Sequence, residues 1–341
     1  MYNFCTMARP IVKTRITIPM PVQQVVEKLD ASGFEAYAVG GCVRDLLIGR
    51  KPDDWDVTTN ARPEQIREIF PESFYENKFF TVTVKTGAED PTLREIEVTT
   101  FRLEGRYGDA RHPEEVKPAH SLEEDLARRD FTVNGMALAV KNQESGIKNH
   151  EVKVIDPYGG QKDLEAKLIR AVGNPERTIE EDALRMLRAV RIAVQLGFSI
   201  EEKTAAAIEA NAGRLAAISK ERIRDEFSKI IMADGATPAL PPDARYPKTY
   251  ATTTDAPREH HGPGSEAFER VGAGYAWRGL ELLRELELLK HILPELEEGF
   301  GCTQNKHHVY TVWEHNLRAL DYGAKEGFPM AVRLAALLHD V

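Results

Sequence analysis

Apolar and polar positions along this chain follow one period in the first half and another in the second. Glu35–Gly41 reads EAYAVGG, a short apolar run closed by two glycines. Val43, Leu46 and Leu47 follow at helical spacing and predict a helix over Val43–Ile48, with Gly49 suited to its end. Asp54–Thr59 (DWDVTT), Thr81–Thr86 (TVTVKT) and Arg94–Thr100 (REIEVTT) alternate with period two and are rich in β-branched residues, so each predicts a strand. Pro63–Phe70 predicts a short amphipathic helix with proline in its first turn. Up to about Gly160 the pattern is that of a small mixed α/β domain with a largely antiparallel sheet.

Beyond Asp163 the helical period takes over. Glu180–Leu196 sets Leu184, Leu187, Val190, Ile192 and Val194 at helical spacing and predicts one strong helix. Glu201–Ala210, Ser219–Met232, Trp277–Leu289, Tyr310–Leu320 and Pro329–His339 predict further helices. Ala233–Gly274 holds PALPPD, TTTD and HHGPG without a steady apolar period, and predicts an inserted, poorly ordered loop. The chain stops at Val341 inside an apolar helical pattern, so a truncated chain is expected. The organisation expected is a head over 1–160, a helical neck over 161–232, the inserted loop over 233–274 and a helical body over 275–341.

Composition narrows the class. A length of 341 residues suits two or three domains, and 42% apolar with 29% charged residues is ordinary for a soluble protein. No apolar run reaches the ~18 residues of a membrane span, so no membrane association is expected. Met1–Met20 lacks the apolar core of a signal peptide. Cys5, Cys42 and Cys302 are far apart, which argues against a disulfide framework and for a reducing cytoplasm. A net charge of −9 excludes a generally basic nucleic-acid coat but leaves room for a local basic surface.

The densest chemical signal is Gly40, Gly41, Val43, Arg44, Asp45, Leu46, Leu47, Gly49 and Arg50, followed by Asp54 and Asp56. Two glycines before a helix let backbone approach a phosphate and turn N–H groups toward it. Arg44 can hold triphosphate oxygens bidentately. Asp54 and Asp56, two apart on a strand, are expected to share a face and to bind a hard divalent cation, Mg²⁺ being the usual choice. Glu97, on the strand EIEVTT, is expected to supply the third carboxylate. The expected chemistry is two-metal activation of a hydroxyl and stabilisation of a leaving oxygen. Asp45 reads as a helix charge pairing with arginine, Phe131 as core and Cys42 as a small buried residue.

At these residues the chain resembles the class II tRNA nucleotidyltransferases (CCA-adding enzymes) and bacterial poly(A) polymerases, a branch of the polymerase-β-like nucleotidyltransferases. The resemblance continues in order through LEEDLARRDFTVNGMAL (Leu122–Leu138), with Gly135 where alanine is usual, IDPYGG (Ile155–Gly160) and EEDALRMLRAVRIAVQLGF (Glu180–Phe198). It covers about Glu35–Lys229. It implies an α+β fold: a polymerase-β-like head with a small mixed sheet and helices, then an all-α neck and body. It also implies addition of C, C and A to a tRNA 3′ end from CTP and ATP, with pyrophosphate released. A poly(A) polymerase, or an enzyme restricted to CC or A, is the alternative. The polar stretch Glu104–Pro113, with Arg111, resembles the loop that this family uses to switch from C to A.

The resemblance places Arg128, Arg129 and Asp130 beside the nucleotide, with Asp130 on ribose or organising the arginines, and Asn134 on phosphate or sugar. It makes Asp182 and Arg185 the base selector. Three apart on a helix, they would share a face. A carboxylate accepts from the amine of C or A and a guanidinium donates to the adjacent ring acceptor, while U and G offer the reverse pattern. Arg188 and Arg191 extend the basic stripe toward phosphate or a neighbouring domain. Lys220, Arg222 and Arg224 could hold tRNA phosphates, although Glu221, Asp225 and Glu226 interleave with them and a solvated face reads equally well. At the C-terminus His315 and the pair His339–Asp340 resemble the start of an HD-type metal phosphohydrolase segment, short of the further aspartate that pattern requires. An HD phosphohydrolase and a non-catalytic RNA-binding module are the readings from other classes. His307, His308, His260 and His261 read as solvated loop residues.

Overall fold

The computed structural model describes residues 16–76, 80–104, 116–141, 151–233, 274–303 and 309–341. Described residues up to Ala166 form one unit and those from Lys167 another. Most of the stretch expected to switch bases, most of the Ala233–Gly274 insertion, and His260, His261, His307 and His308 lie outside the described residues.

The first unit is built on α1 (Met20–Ala31), β1 (Ala36–Val39), α2 (Gly41–Leu47), β2 (Asp56–Thr59), α3 (Pro63–Ile69), β3 (Ser73–Glu76), β4 (Thr81–Lys85) and β5 (Glu95–Thr100). After these come β6 (Arg102–Glu104), β7 (Val116–Pro118), α4 (Leu122–Ala127), β8 (Ala137–Lys141), β9 (Glu151–Ile155) and α5 (Gly160–Ala166). Seven strands form one sheet in the order β3-β4-β5-β2-β1-β8-β9. Every pairing is antiparallel except β2 with β5, whose parallel register sets Asp56 opposite Glu97 and Thr58 opposite Thr99. The parallel step is possible because α3, β3 and β4 intervene between the two strands and return the chain to its starting edge.

Alternation along β2 and β5 sorts the two faces. Val57, Ile96 and Val98 are fully buried, and the apolar faces of α1 and α3 (Val22, Val26, Leu29 and Ile66) are buried with them. The other face carries Asp56, Thr58 and Glu97. There a smaller core of Val39, Phe101, Ala119, Leu122, Leu126 and Ala137 seats α4 beside the carboxylates. Ser121 starts α4 by accepting from the Glu124 N–H at 3.3 Å. In IDPYGG the second glycine allows a close approach. A Cβ on Gly160 would run into the Thr132 carbonyl and Met136, so only glycine lets α5 pack against the turn that carries Asn134.

The second unit pairs β10 (Leu168–Ile169) with β11 (Ser199–Ile200), and is otherwise helical: α6 (Pro175–Glu181), α7 (Arg185–Leu196), α8 (Glu202–Asn211) and α9 (Lys220–Ile231). It continues with α10 (Tyr275–Glu285), α11 (Pro294–Glu298), α12 (Val312–Lys325) and α13 (Met330–Leu338). Two expectations are corrected. The helix read over Glu180–Leu196 is two helices, α6 and α7, broken at Asp182–Leu184. The helix read over Trp277–Leu289 ends at Glu285, because Glu287 takes a positive φ of 59° and turns the chain. Arg333 is fully buried in the apolar α13. It donates to the carbonyls of Phe328 (2.7 Å) and Ile231 (3.3 Å), so its charge satisfies chain and helix ends instead of facing water.

Candidate active site

The strand end that carries Asp56 gathers most of the chemistry read from the head. Asp56 opens β2, whereas Asp54 lies in the bend just ahead of it and not on the strand, which corrects the expectation for the pair. The reason is the turn begun by Pro52 and Asp53. The ladder starts only at buried Trp55, whose carbonyl accepts from the Glu97 N–H at 3.3 Å. Glu97 is exposed on the parallel neighbour, directly opposite Asp56.

Burial pushes the Asp56 carboxyl up to about 6; Arg129 and Arg102 oppose the rise, while the Asp54 and Glu97 charges add to it. Three like charges around one strand end are costly when close, and a divalent cation would relieve that cost. The donor set is all oxygen, which suits a hard cation such as Mg²⁺. Asp54, Asp56 and Glu97 supply donors of that type, spread so that their oxygens do not all lie within 4.8 Å of one another. Cys42 takes no part: burial pushes its thiol up to about 12, leaving it inert.

Gly40 holds φ +82° at the start of α2, and a Cβ there would come within 2.9 Å of Arg129 Nη1 and 3.5 Å of Asp56 Oδ2. The glycine thus lets a guanidinium lie against the backbone beside the carboxylates. Of the two arginines expected beside the nucleotide, Arg129 is the one that turns toward the carboxylates. The signal was present in the doubled arginine, but nothing local says which one turns inward.

Arg44 bonds Asp45 (Nε to Oδ1, 2.9 Å), as the helix-charge reading expected, and also Asn134 Oδ1 (2.8 Å). Asn134 Nδ2 in turn donates to Asp130 Oδ1 at 3.1 Å, and Asp130 Oδ1 accepts the Phe131 N–H. Arg44, Asn134 and Asp130, residues up to 90 positions apart, therefore form one hydrogen-bonded row. Arg128 points elsewhere, with Nε (3.0 Å) and Nη2 (2.7 Å) both on Asp125 Oδ1. Burial pushes the Asp125 carboxyl up, but the Arg128 and Arg129 charges outweigh it and hold the group below the usual carboxylate range.

In the second unit the pair expected to select the base, Asp182 and Arg185, takes an unexpected form. Asp182 is extended (φ −146°, ψ 107°), and its Oδ1 accepts the Leu184 N–H at 3.0 Å. This local bond competes with the helix and explains the break. Asp182 and Arg185 therefore do not share one helix face; Asp182 sits in the gap and Arg185 begins α7. Asp182 Oδ2 accepts from Arg222 Nη2 at 2.9 Å. Arg185 is only 6% exposed, and its Nη1 donates to the Thr178 carbonyl and to Glu181 Oε2, both at 3.1 Å. Arg191 donates to buried Glu226 at 2.6 Å, tying α7 to α9, and Arg188 is half-buried on α7. Lys220 and Arg224 are exposed, the latter bonded to Asp225. Arg222 differs from them in reaching Asp182.

The three C-terminal residues do meet. His315 Nε2 and His339 Nε2 are 3.0 Å apart, and each lies 3.7 Å from Asp340 Oδ2. Among the described residues this is the one group of three or more ligand-type side chains whose donor atoms all lie within 4.8 Å.

A strand-end aspartate facing a glutamate on the parallel neighbour, beside a Gly-Gly helix start, defines a polymerase-β-like nucleotidyltransferase head. Residues 36–170 match the family described as "Poly A polymerase head domain", and 197–241 the one described as "Probable RNA and SrmB- binding site of polymerase A". These two segments are what the chain shares with poly(A) polymerases, and over the same region it is similar to proteins named CCA-adding enzyme. It is 47% identical over 212 residues to the CCA-adding enzyme of Lactobacillus helveticus, covering 62% of this chain and 49% of that protein. To the CCA-adding enzyme of Geobacillus thermodenitrificans it is 44% identical over 230 residues, 65% of this chain and 52% of the relative. The chain thus spans about half the length of the curated relatives it matches. Among solved structures it is similar to the Bacillus stearothermophilus CCA-adding enzyme in complex with CTP, with a TM-score of 0.56, 28% identity, and coverage of 94% of this chain and 82% of that one. A tRNA nucleotidyltransferase complexed with a primer tRNA and an incoming ATP analogue gives a TM-score of 0.61 at 25% identity, covering 93% and 75%. Among the described residues no helix is long and apolar enough to cross a membrane.

Proposed function

We propose that this chain adds C, C and A to the 3′ end of tRNA, taking CTP and ATP and releasing pyrophosphate, as a cytoplasmic enzyme with Mg²⁺ as its metal. The observation that carries the reading is the parallel pairing of β2 and β5, which sets Asp56 opposite Glu97 with Arg129 over Gly40 beside them. Solved CCA-adding enzymes of the same fold carry CTP or tRNA, which supports the choice of substrates.

Asp54, Asp56 and Glu97 would hold the cation near the reacting phosphate. Mg²⁺, when bound there, supplies charge neutralisation and lowers the pKa of the terminal ribose hydroxyl. Arg129 and the α2 start oppose the charge of the triphosphate. Arg44, Asn134 and Asp130 form a polar row for phosphate and sugar. Asp182 accepts from the base amine and Arg185 donates to its ring acceptor, so protein groups replace a nucleic-acid template. Their fixed partners, Leu184, Arg222, Glu181 and Thr178, keep both oriented before the base arrives, which lowers the ordering cost of binding. Lys220 and Arg224 lie exposed on α9, where tRNA phosphates would compete with Asp225 for Arg224.

A gel extension assay tests this with tRNA transcripts lacking CCA, ending in C-C, or complete, each given CTP, ATP, UTP and GTP singly and then CTP with ATP. Three nucleotides added in order and then arrest is the expected result. A long A ladder would make the chain a poly(A) polymerase, and one or two nucleotides a divided-labour enzyme.

The 3.0 Å approach of His315 and His339 favours a second reading for the C-terminal helices. His339 Nδ1 lies 2.8 Å from the Ala336 carbonyl, and donation there leaves Nε2 as a lone-pair ligand. We propose that His315, His339 and Asp340 hold a divalent transition metal, as the HD-like pattern implies. Titration with Mn²⁺ should show one site lost in His315→Ala, with CTP-dependent extension retained. Equal Mn²⁺ uptake by this variant would remove the HD-like reading.

A further inference from the structure

One buried carboxylate has no place in the chemistry above. Asp125 is 0% exposed, on α4, against the sheet face that carries Asp56 and Thr58. Its Oδ1 accepts from the Arg102 N–H (3.3 Å) and from Nε (3.0 Å) and Nη2 (2.7 Å) of Arg128. Its Oδ2 accepts from Thr58 Oγ1 (3.3 Å) and Arg129 Nη2 (3.4 Å). Thr58 stands two residues beyond Asp56 on the same face of β2. A single side chain therefore ties the strand of the catalytic carboxylate, the start of β6 and both arginines after α4. The other end of the Arg129 guanidinium is the group that lies over Gly40 next to Asp56.

We infer that Asp125 is a positioning residue for the nucleotidyl transfer: it registers Arg129 against the strand bearing Asp56, so that the guanidinium meets the triphosphate at a fixed place. The inference rests on the transferase reading. A buried carboxylate costs stability unless several donors repay it, and the donors here come from the three elements that must be aligned. Fixing a long arginine in advance also removes its rotamer entropy from the binding step. A carboxylate serving packing alone would not need to contact the catalytic strand and the guanidinium at once.

The test is a double-mutant cycle on the full chain, using a tRNA transcript lacking CCA, with CTP, ATP and Mg²⁺. Asp125→Asn keeps size and an acceptor but removes the charge that holds Arg129. Its kcat should fall about 10- to 100-fold with the KM for tRNA unchanged. Arg129→Ala should lose at least as much, and the double variant little more than Arg129→Ala alone. Losses that multiply, or an Asp125→Asn enzyme with the parent kcat, would overturn the inference. If Asp125→Asn is unfolded at the assay temperature, Thr58→Val serves instead, with a smaller loss that again vanishes in the Arg129→Ala background; multiplying losses there overturn the inference equally. A parent chain that adds no nucleotide would overturn the transferase reading itself, and this inference with it.

Discussion

Asp56→Asn should abolish nucleotide addition and at the same time raise the melting temperature measured without divalent cation. The loss follows from geometry. Asp56 is the carboxylate nearest the centre of the site, flanked by Asp54 and faced by Glu97, and an amide is a far weaker cation ligand. Removing one preorganised electrostatic element of a transfer site typically costs about 10²–10³ in rate, and loss of the cation adds to that. The gain in stability follows from the raised pKa. Because the carboxyl titrates at about 6 in the fold and near 3.8 otherwise, the folded chain holds this proton more tightly than the unfolded one. The carboxylate therefore costs stability progressively as pH rises from about 4 to about 6, and the full cost, up to about 3 kcal/mol, stands above that. An asparagine carries no such cost. Melting curves in EDTA at pH 7.5 should shift up by several degrees, and the difference should disappear toward pH 4. Saturating Mg²⁺ should stabilise the parent chain and close the gap. An Asp56→Asn chain that melts no higher than the parent at pH 7.5 would contradict the crowding of charge at the strand end.

Asp182→Ala should loosen the choice of base more than it slows the reaction. One well-placed carboxylate or guanidinium contact discriminates by about 1–3 kcal/mol, or roughly 5- to 150-fold. The ratio of kcat/KM for CTP over UTP, and for ATP over GTP, should fall within that range. Arg185→Ala should lower the same ratios and also destabilise the α6–α7 corner, since Glu181 and the Thr178 carbonyl lose their shared donor. Arg222→Ala should act in the same direction as Asp182→Ala but less strongly, because it frees Asp182 without removing it. The measurement is steady-state extension of one tRNA with each of the four nucleotides. Unchanged ratios with a uniformly slower enzyme would reduce Asp182 to a helix-breaking residue and sink the selector reading.

The candidate groups of the head were largely legible in the order of residues, and their wiring was not. Gly40, Arg44, Asp54, Asp56 and Glu97 announce themselves by residue type and spacing, because phosphate and metal binding need those groups on short segments. Asp125 does not: it reads as one more acid in the first turn of a helix, where Glu123 and Glu124 sit beside it. Only burial against Thr58 and the two arginines distinguishes it. The break at Asp182 was missed for a related reason. The apolar period runs through it undisturbed, and the signal that stops the helix is a side-chain bond to the Leu184 N–H, local but indifferent to hydrophobic spacing. The Arg222 contact with Asp182 spans 40 positions and could not be read from either segment alone.

By itself, then, the sequence determined three of the seven sheet strands and the rough extent of most later helices, where glycines permit close backbone approach, and which acids and arginines are on offer. These follow from periods of two and 3.6 and from local sterics, which act within a few residues. Tertiary structure decided that β2 and β5 run parallel, so that Asp56 meets Glu97. It also decided which of Arg128 and Arg129 lies over Gly40, that Asp125 binds both, and that His315 meets His339. Such contacts depend on sheet order and on which groups lose water together, and neither is written in any short stretch of chain.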